Sequence, residues 1–561
     1  MHWQFADPSE IGYAYMLIGG FLVAFSAVSL LVKERLYINE VVLGTIFGIL
    51  IGPHCANIVN PRSWTSDANA LTLEITRFVL VIGLFAIGVK LPRTYMARSV
   101  KSLLVLVVPS MAIGWFISAV LIYTLSPRLG IVASFLISAC LTPTDPIISA
   151  VILEGKFAEE NVHGRLRSLI EAESASNDGM AYPFLTIAFY VLIEANVGTA
   201  IGKWMVIGCL YQVLLGTALG AFFGWALSRV MEYTEKKGFT GREAYLVQCI
   251  AVAVLTTGVA TTLGVDELLA AFAAGSAINW SIGRAEPNVE GRNSSATPVG
   301  EFKSVIDADL PPRPVHGLTP HSSSSSTSPS NLTPKSDDVD ASDAKRSHLS
   351  VQINGQHFPG AIDFILNCAC FLYIGAWLPF DQYNMPSLGV TPWRLVVLSI
   401  GILILRRIPS VLFLYTWIEE IPSWREALFA GHFGPMGVSA VFVSTLVITK
   451  LDGAPTRTEQ TDVLEQTIQP IVTFVVLSSI IVHGLSIPLY TACNAAVGKC
   501  TASRMSRSTG DPEQGSSKTD GLGDKIRGQG EQNMGPRILD TNSCSRGSDG
   551  SVPTDPEKPD L

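Results

Sequence analysis

The chain has 561 residues, 48% of them hydrophobic and only 15% charged, with a mean hydropathy of +0.37, whereas an ordinary soluble domain carries about 25% charged residues. Two polar stretches, 283–357 with 16 charged side chains and 494–561 with 19, hold a large share of that charge. The remainder is a succession of long apolar runs, which excludes a soluble enzyme; the runs are continuous rather than alternating, which excludes a β-barrel. The net charge of −8 gives no reason to expect a nucleic-acid partner.

A helix needs about 20 residues to cross the hydrocarbon core. Runs at 11–32, 38–59, 71–90, 100–125, 130–152, 168–195, 203–230, 243–263, 265–282, 358–380, 391–417, 425–449 and 466–492 predict an all-α polytopic membrane protein of thirteen spans. Twelve is the alternative, because only Gly264 and its neighbours separate the eighth run from the ninth. Lys and Arg favour the connections after odd-numbered spans, with Lys33 and Arg35, then Lys90, Arg93, Arg98 and Lys101, then Lys156, Arg165 and Arg167. Those loops are expected in the cytosol, with the N-terminus outside and the C-terminal tail inside. The opening MHWQFADPSEIGYAY lacks a basic n-region and a small-residue cleavage site, so no cleaved signal peptide is expected.

Between the membrane parts 1–282 and 358–493 lies an insertion, 283–357, that includes PHSSSSSTSPS; the tail 494–561 is rich in Gly, Ser, Asp and Pro. Both are too polar to bury a core and are expected to be disordered and cytosolic. The nine cysteines show no paired spacing. They are read as packing residues without a disulfide or a resident metal.

Four constellations lie inside the apolar runs. In Thr142-Pro143-Thr144-Asp145-Pro146 two prolines predict a break in the fifth span, exposing carbonyls beside one carboxylate. In Glu171-Ala-Glu173-Ser-Ala-Ser-Asn177-Asp178-Gly179 the spacing puts Glu173 and Asn177 on one helix face, while Asp178 turns toward a different neighbour. A carboxylate in hydrocarbon is costly. Desolvation favours the neutral form of an acid, which suits a group that alternates between a proton and a small cation. Structural ion pairing is the better reading for Glu173, and function for Asp178.

The third constellation, Arg406-Arg407-Ile408-Pro409, places two arginines near the middle of the eleventh span, where Glu173 is the natural counter-ion for one of them. The fourth, Gly431-His432-Phe433-Gly434-Pro435-Met436-Gly437, weakens the twelfth span. If spans 1–6 and 8–13 are inverted repeats, spans five and twelve correspond. Two interrupted helices in matching positions point to a transporter's midplane site. Asp266-Glu267 at the head of the ninth span reads as a mouth or helix-cap charge at the outer surface. Asp363 and Asn367, four apart in the tenth span, are candidates to face the core.

TPTDP, ESASNDGMAYPF, GVDELL, NCACFLYIGAWLPF, LRRIP and GHFGPMGVSAVF together resemble the fungal plasma-membrane Na+(K+)/H+ antiporters of the monovalent cation:proton antiporter-1 family, over roughly 10–282 and 358–493. The resemblance implies two inverted repeats with crossed broken helices in a multi-pass, homodimeric plasma-membrane protein. It implies exchange of cytosolic Na+, and of K+ or Li+, for external H+, without enzymatic activity or a cofactor. Residue by residue, it makes Asp178 the ion- and proton-binding carboxylate and Asn177 its neighbour in the signature. Thr142 and Asp145 belong to the unwound crossing, and Glu173 pairs with Arg406 or Arg407. Asp266 and Glu267 are auxiliary, Glu267 being a conservative departure from the family's second Asp.

Other readings compete. An intramembrane aspartyl protease needs a GxGD string within a span, and Gly521-Leu522-Gly523-Asp524 lies in the polar tail. A transport-inactive cation or pH sensor and a cation channel share the same fold, but a channel has no need of a titratable Asp at the crossing.

Overall fold

The computed structural model describes residues 9–92, 95–153, 156–239, 241–282, 359–453 and 457–508. The inserted segment expected at 283–357 lies outside them, as do residues 509–561 of the expected tail. Helices fall on all thirteen predicted positions. They are α1 (Glu10–Leu31), α2 (Glu40–Ile51), α3 (Ala68–Lys90), α4 (Val100–Leu125), the pair α5 (Ile131–Cys140) and α6 (Pro146–Leu153), and α7 (Gly164–Ile193). There follow α8 (Val197–Thr234), α9 (Arg242–Leu263), α10 (Glu267–Ile282) and α11 (Pro359–Trp377). The chain continues through the pairs α12 (Pro392–Leu405) with α13 (Ile408–Leu414) and α14 (Trp424–His432) with α15 (Val438–Asp452), and ends in α16 (Glu459–Ser508). Among the described residues, six helical stretches are long and apolar enough to cross a membrane. The described residues up to Val497 form one compact unit.

Local chemistry explains the interruptions. Pro146 opens α6, where its missing N–H costs nothing. Gly264 takes a left-handed φ of +71° and ends α9, so the eighth and ninth runs are separate helices. The second run is helical over 12 residues only, because Gly52 leaves the helix in extended backbone ahead of Pro53. The eleventh run, expected to be continuous, also breaks: α12 stops at Leu405 and α13 starts at Ile408, leaving Arg406 and Arg407 at the discontinuity.

Among the described residues there is no strand, only one isolated bridge between Met385 and Val390. The core is built around α7, which packs on α3, α5, α6 and α10, while α15 lies along α3. Two seams run without side chains between them. A Cβ at Gly88 or Gly275 would strike the facing backbone of α10 or α3, and one at Gly220 or Gly224 of α8 would strike the carbonyls of Ala270 or Ala274 on α10.

Candidate functional site

The two interruptions at 141–145 and 433–437 meet. The Asp145 N–H donates to the Pro435 carbonyl at 2.7 Å, and Gly437 lies so near that a Cβ there would stand 2.5 Å from Asp145 Oδ2. Four half-helices therefore end at one place, with unsatisfied N–H groups on two of them and carbonyls on the other two. Asp145, fully buried, serves both N-termini. Its Oδ1 accepts from the N–H groups of Ile147 and Ile148 at 2.9 Å each, and its Oδ2 from Ser439 N at 3.4 Å. Arg406 serves both C-termini, donating to the carbonyls of Leu141, Thr142 and Pro143 at 2.5, 2.9 and 3.2 Å and to that of Gly434 at 2.6 Å. Anion at the positive ends and cation at the negative ends is the arrangement that helix dipoles favour.

On α7, Asn177 ties the first interruption down. Its Oδ1 accepts from Thr144 N at 3.1 Å and its Nδ2 donates to Thr144 Oγ1 at 2.7 Å. Asp178, the next residue, faces α15: Ser439 Oγ donates to its Oδ2 at 2.8 Å. Asp178 is 1% exposed, and its Oδ1 has no hydrogen-bond partner among the described residues. Thr142 sends its hydroxyl back to the Ala139 carbonyl at 2.7 Å, so it contributes its own carbonyl, held by Arg406, rather than its side chain.

The arginines divide their work. Arg407, not Arg406, is the partner of Glu173: its Nη2 donates to Glu173 Oε2 at 2.6 Å, its Nη1 contacts Oε1, and its Nε donates to the Ala430 carbonyl at 3.0 Å. This bidentate buried pair explains why an acid is tolerated there. A cavity of about 20 Å³, room for about one water, is lined by Thr142, Glu173, Asn177, Arg406, Arg407 and Ser110.

Asp266 is not a surface charge. It is fully buried, its Oδ1 caps α10 by accepting from Leu269 N at 2.9 Å, and its Oδ2 has no partner among the described residues. Packing of the α10 head against Gly179 of α7 covers it. Glu267 pairs with Arg77 of α3 at 3.0 Å. Asp363 and Asn367 are half-buried on α11. His432 is a packed residue, its Nε2 sharing a hydrogen bond with Ser486 Oγ at 2.9 Å. Reading by composition missed Ser439, Thr144, Arg77 and also Ser479, whose Oγ accepts from Met436 N at 2.8 Å and steadies the second interruption. Arg77 alone carried a signal, an arginine inside an apolar run.

Residues 21–303 and 342–493 match the family described as sodium/hydrogen exchanger, transmembrane. The chain belongs to the sodium/hydrogen exchanger family. It is 37% identical over 502 residues to a Na+/H+ antiporter of Saccharomyces cerevisiae, matching 87% of this chain and 44% of that one. To a Na+/H+ antiporter of Schizosaccharomyces pombe it is 33% identical, over 87% of this chain and 92% of the relative. Against three of the curated relatives the chain spans about half their length. The fold is that of the sodium proton antiporter MjNhaP1 from Methanocaldococcus jannaschii, with a TM-score of 0.55 at 16% identity, covering 85% of this chain and 95% of the other. Membership places the chain among membrane transporters.

Proposed function

We propose that this exchanger-family chain moves Na+ and H+ in opposite directions across a membrane, with Asp178 carrying either one in turn. The observation that carries the reading is the state of the buried carboxylates. Asp145 is engaged by backbone N–H groups and Glu173 by Arg407, but Asp178 retains a bare oxygen at the crossing. A buried carboxylate without a cation is expensive, and either a proton or an alkali cation relieves that cost. The two are then mutually exclusive on one group, which is what coupled exchange requires.

In this reading Asn177 and Thr144 hold the unwound segment against α7, and Thr142 and Asp145 shape the crossing. Asp266, with its own bare oxygen, is an auxiliary acid beside the site. K+ and Li+ are further cargo candidates by charge and hardness. The orientation is N-terminus outside and C-terminus cytosolic, in the plasma membrane, with a second copy of the chain as partner.

Purified protein in proteoliposomes bearing a pH gradient tests the proposal. Adding Na+ is expected to dissipate the gradient, with K+ and Li+ compared side by side. Shared-site competition further requires that raising Na+ tenfold move the acidic limb of the rate profile toward lower pH by up to about one unit. A limb that stays fixed means a separate proton site, and a gradient indifferent to all three cations overturns exchange.

A further inference from the structure

Arg77 lies on a ladder of charge that leads away from the crossing. The ladder starts at Asp178, whose neighbour Gly179 packs against Asp266 so closely that a Cβ there would stand 3.1 Å from Asp266 Oδ2. The adjacent Glu267 has a side chain 5% exposed and meets Arg77, 15% exposed, at 3.0 Å. Arg77 in turn contacts Glu74, whose side chain is 65% exposed. Exposure thus rises stepwise from the buried acids to solvent. The Arg77 guanidinium sits 5.7 Å from the centroid of Phe442 on α15. A cavity of about 50 Å³ opens between Tyr182, Thr186, Gln212 and Lys450.

A cation leaving Asp178 along this ladder meets Asp266 and then Glu267, and Arg77 already occupies the second carboxylate. We propose that Arg77 is a positioning residue for transport: a tethered cation that holds Glu267 and closes this face of the site until a mobile cation displaces it. The inference rests on the exchange reading. It needs no movement of helices, because Arg77 already bridges Glu267 and Glu74 and can keep Glu74 while Glu267 receives the cargo. Among the described residues the Glu173–Arg407 pair has no such second anion in its contacts and is additionally fastened to the Ala430 carbonyl. The Arg77–Glu267 pair, with Glu74 at hand, is built to exchange partners.

The test measures half-saturating Na+ separately at the two faces, in right-side-out and inside-out vesicles. The Arg77→Gln/Glu267→Gln double variant leaves no buried charge of the pair uncompensated, Glu74 being exposed, so it is expected to fold, with thermal melting as a check. It should raise half-saturating Na+ by roughly fivefold at the face that Glu74 occupies and by less than about twofold at the other. Arg77→Lys keeps the tethered charge and is expected to retain the wild-type ratio between faces. Equal changes at both faces, or none at either, would make the pair merely structural and overturn the proposal. Absence of Na+-driven proton movement in the wild type would overturn this proposal together with exchange itself, whereas wild-type exchange with a symmetrical double variant sinks the gate alone.

Discussion

Asp145 and Asp178 are equally hidden, 0% and 1% exposed, and differ in what holds them. Three backbone N–H groups converge on Asp145, two from α6 and one from α15. A single hydroxyl reaches Asp178. Donors fixed to helix ends cannot turn away, so Asp145 is permanently committed as the anion that joins two half-helices. A hydroxyl rotates and can accept as well as donate, so Asp178 can be protonated or bound by a cation without dismantling the crossing. Burial marks both acids; commitment of donors separates the structural one from the proposed carrier.

The sharpest way to break this contrast is to neutralise each acid in turn. Asp178→Asn is expected to abolish Na+-driven proton movement in proteoliposomes while the protein melts in detergent close to wild type. Asp145→Asn loses the charge that caps two helix N-termini, and is expected to melt earlier, by about 1–2 kcal/mol of stability. Equal melting of the two variants would erase the distinction. Next in size, Glu173→Ala leaves Arg407 buried and unpaired, at a cost of about 3–5 kcal/mol of stability but with less effect on transport than Asp178→Asn. Adding Arg407→Leu should recover part of that loss, and strictly additive losses would argue against the contact. The smallest effect is expected from Ser439→Ala. Without its hydroxyl donor the anionic form of Asp178 is less favoured, so half-saturating Na+ should rise by roughly threefold, more at low pH than at high pH. A change that is the same at every pH would mean Ser439 positions α15 rather than serving the carboxylate.

Much of this site was legible because membrane-buried charge is conspicuous. Pro143 and Pro146 announced one interruption, Gly434 and Pro435 the other, and four-residue spacing put Glu173 with Asn177 beside the arginines. Which arginine pairs with Glu173 was not legible, since adjacent residues point in different directions only once the helix end between Leu405 and Ile408 is known. Asp266 was misplaced because an acid at a helix head looks the same in sequence whether water or a neighbouring helix covers it. Ser439 and Thr144 were silent for a simpler reason. A hydroxyl within an apolar run usually satisfies itself on its own helix, as Thr76 and Thr142 do here, and only the fold shows which ones turn outward.

The seams at Gly88 with Gly275 and at Gly220 with Gly224 carry a mechanical consequence. Where backbones touch with no side chains between them, sliding by even one residue would drive a side chain into a carbonyl, so α3, α10 and α8 behave as one stiff plate. Asp266 and Glu267 ride on that plate, as does Arg77; Asp178 and Ser439 ride on α7 and α15, outside it. Whatever shear the molecule undergoes must therefore be taken up where α7 and α15 meet that plate, the α7–α10 contact among them. Cross-links within the plate, between α3 and α10, should leave the machine running, whereas a cross-link from α7 to α10 should stall it.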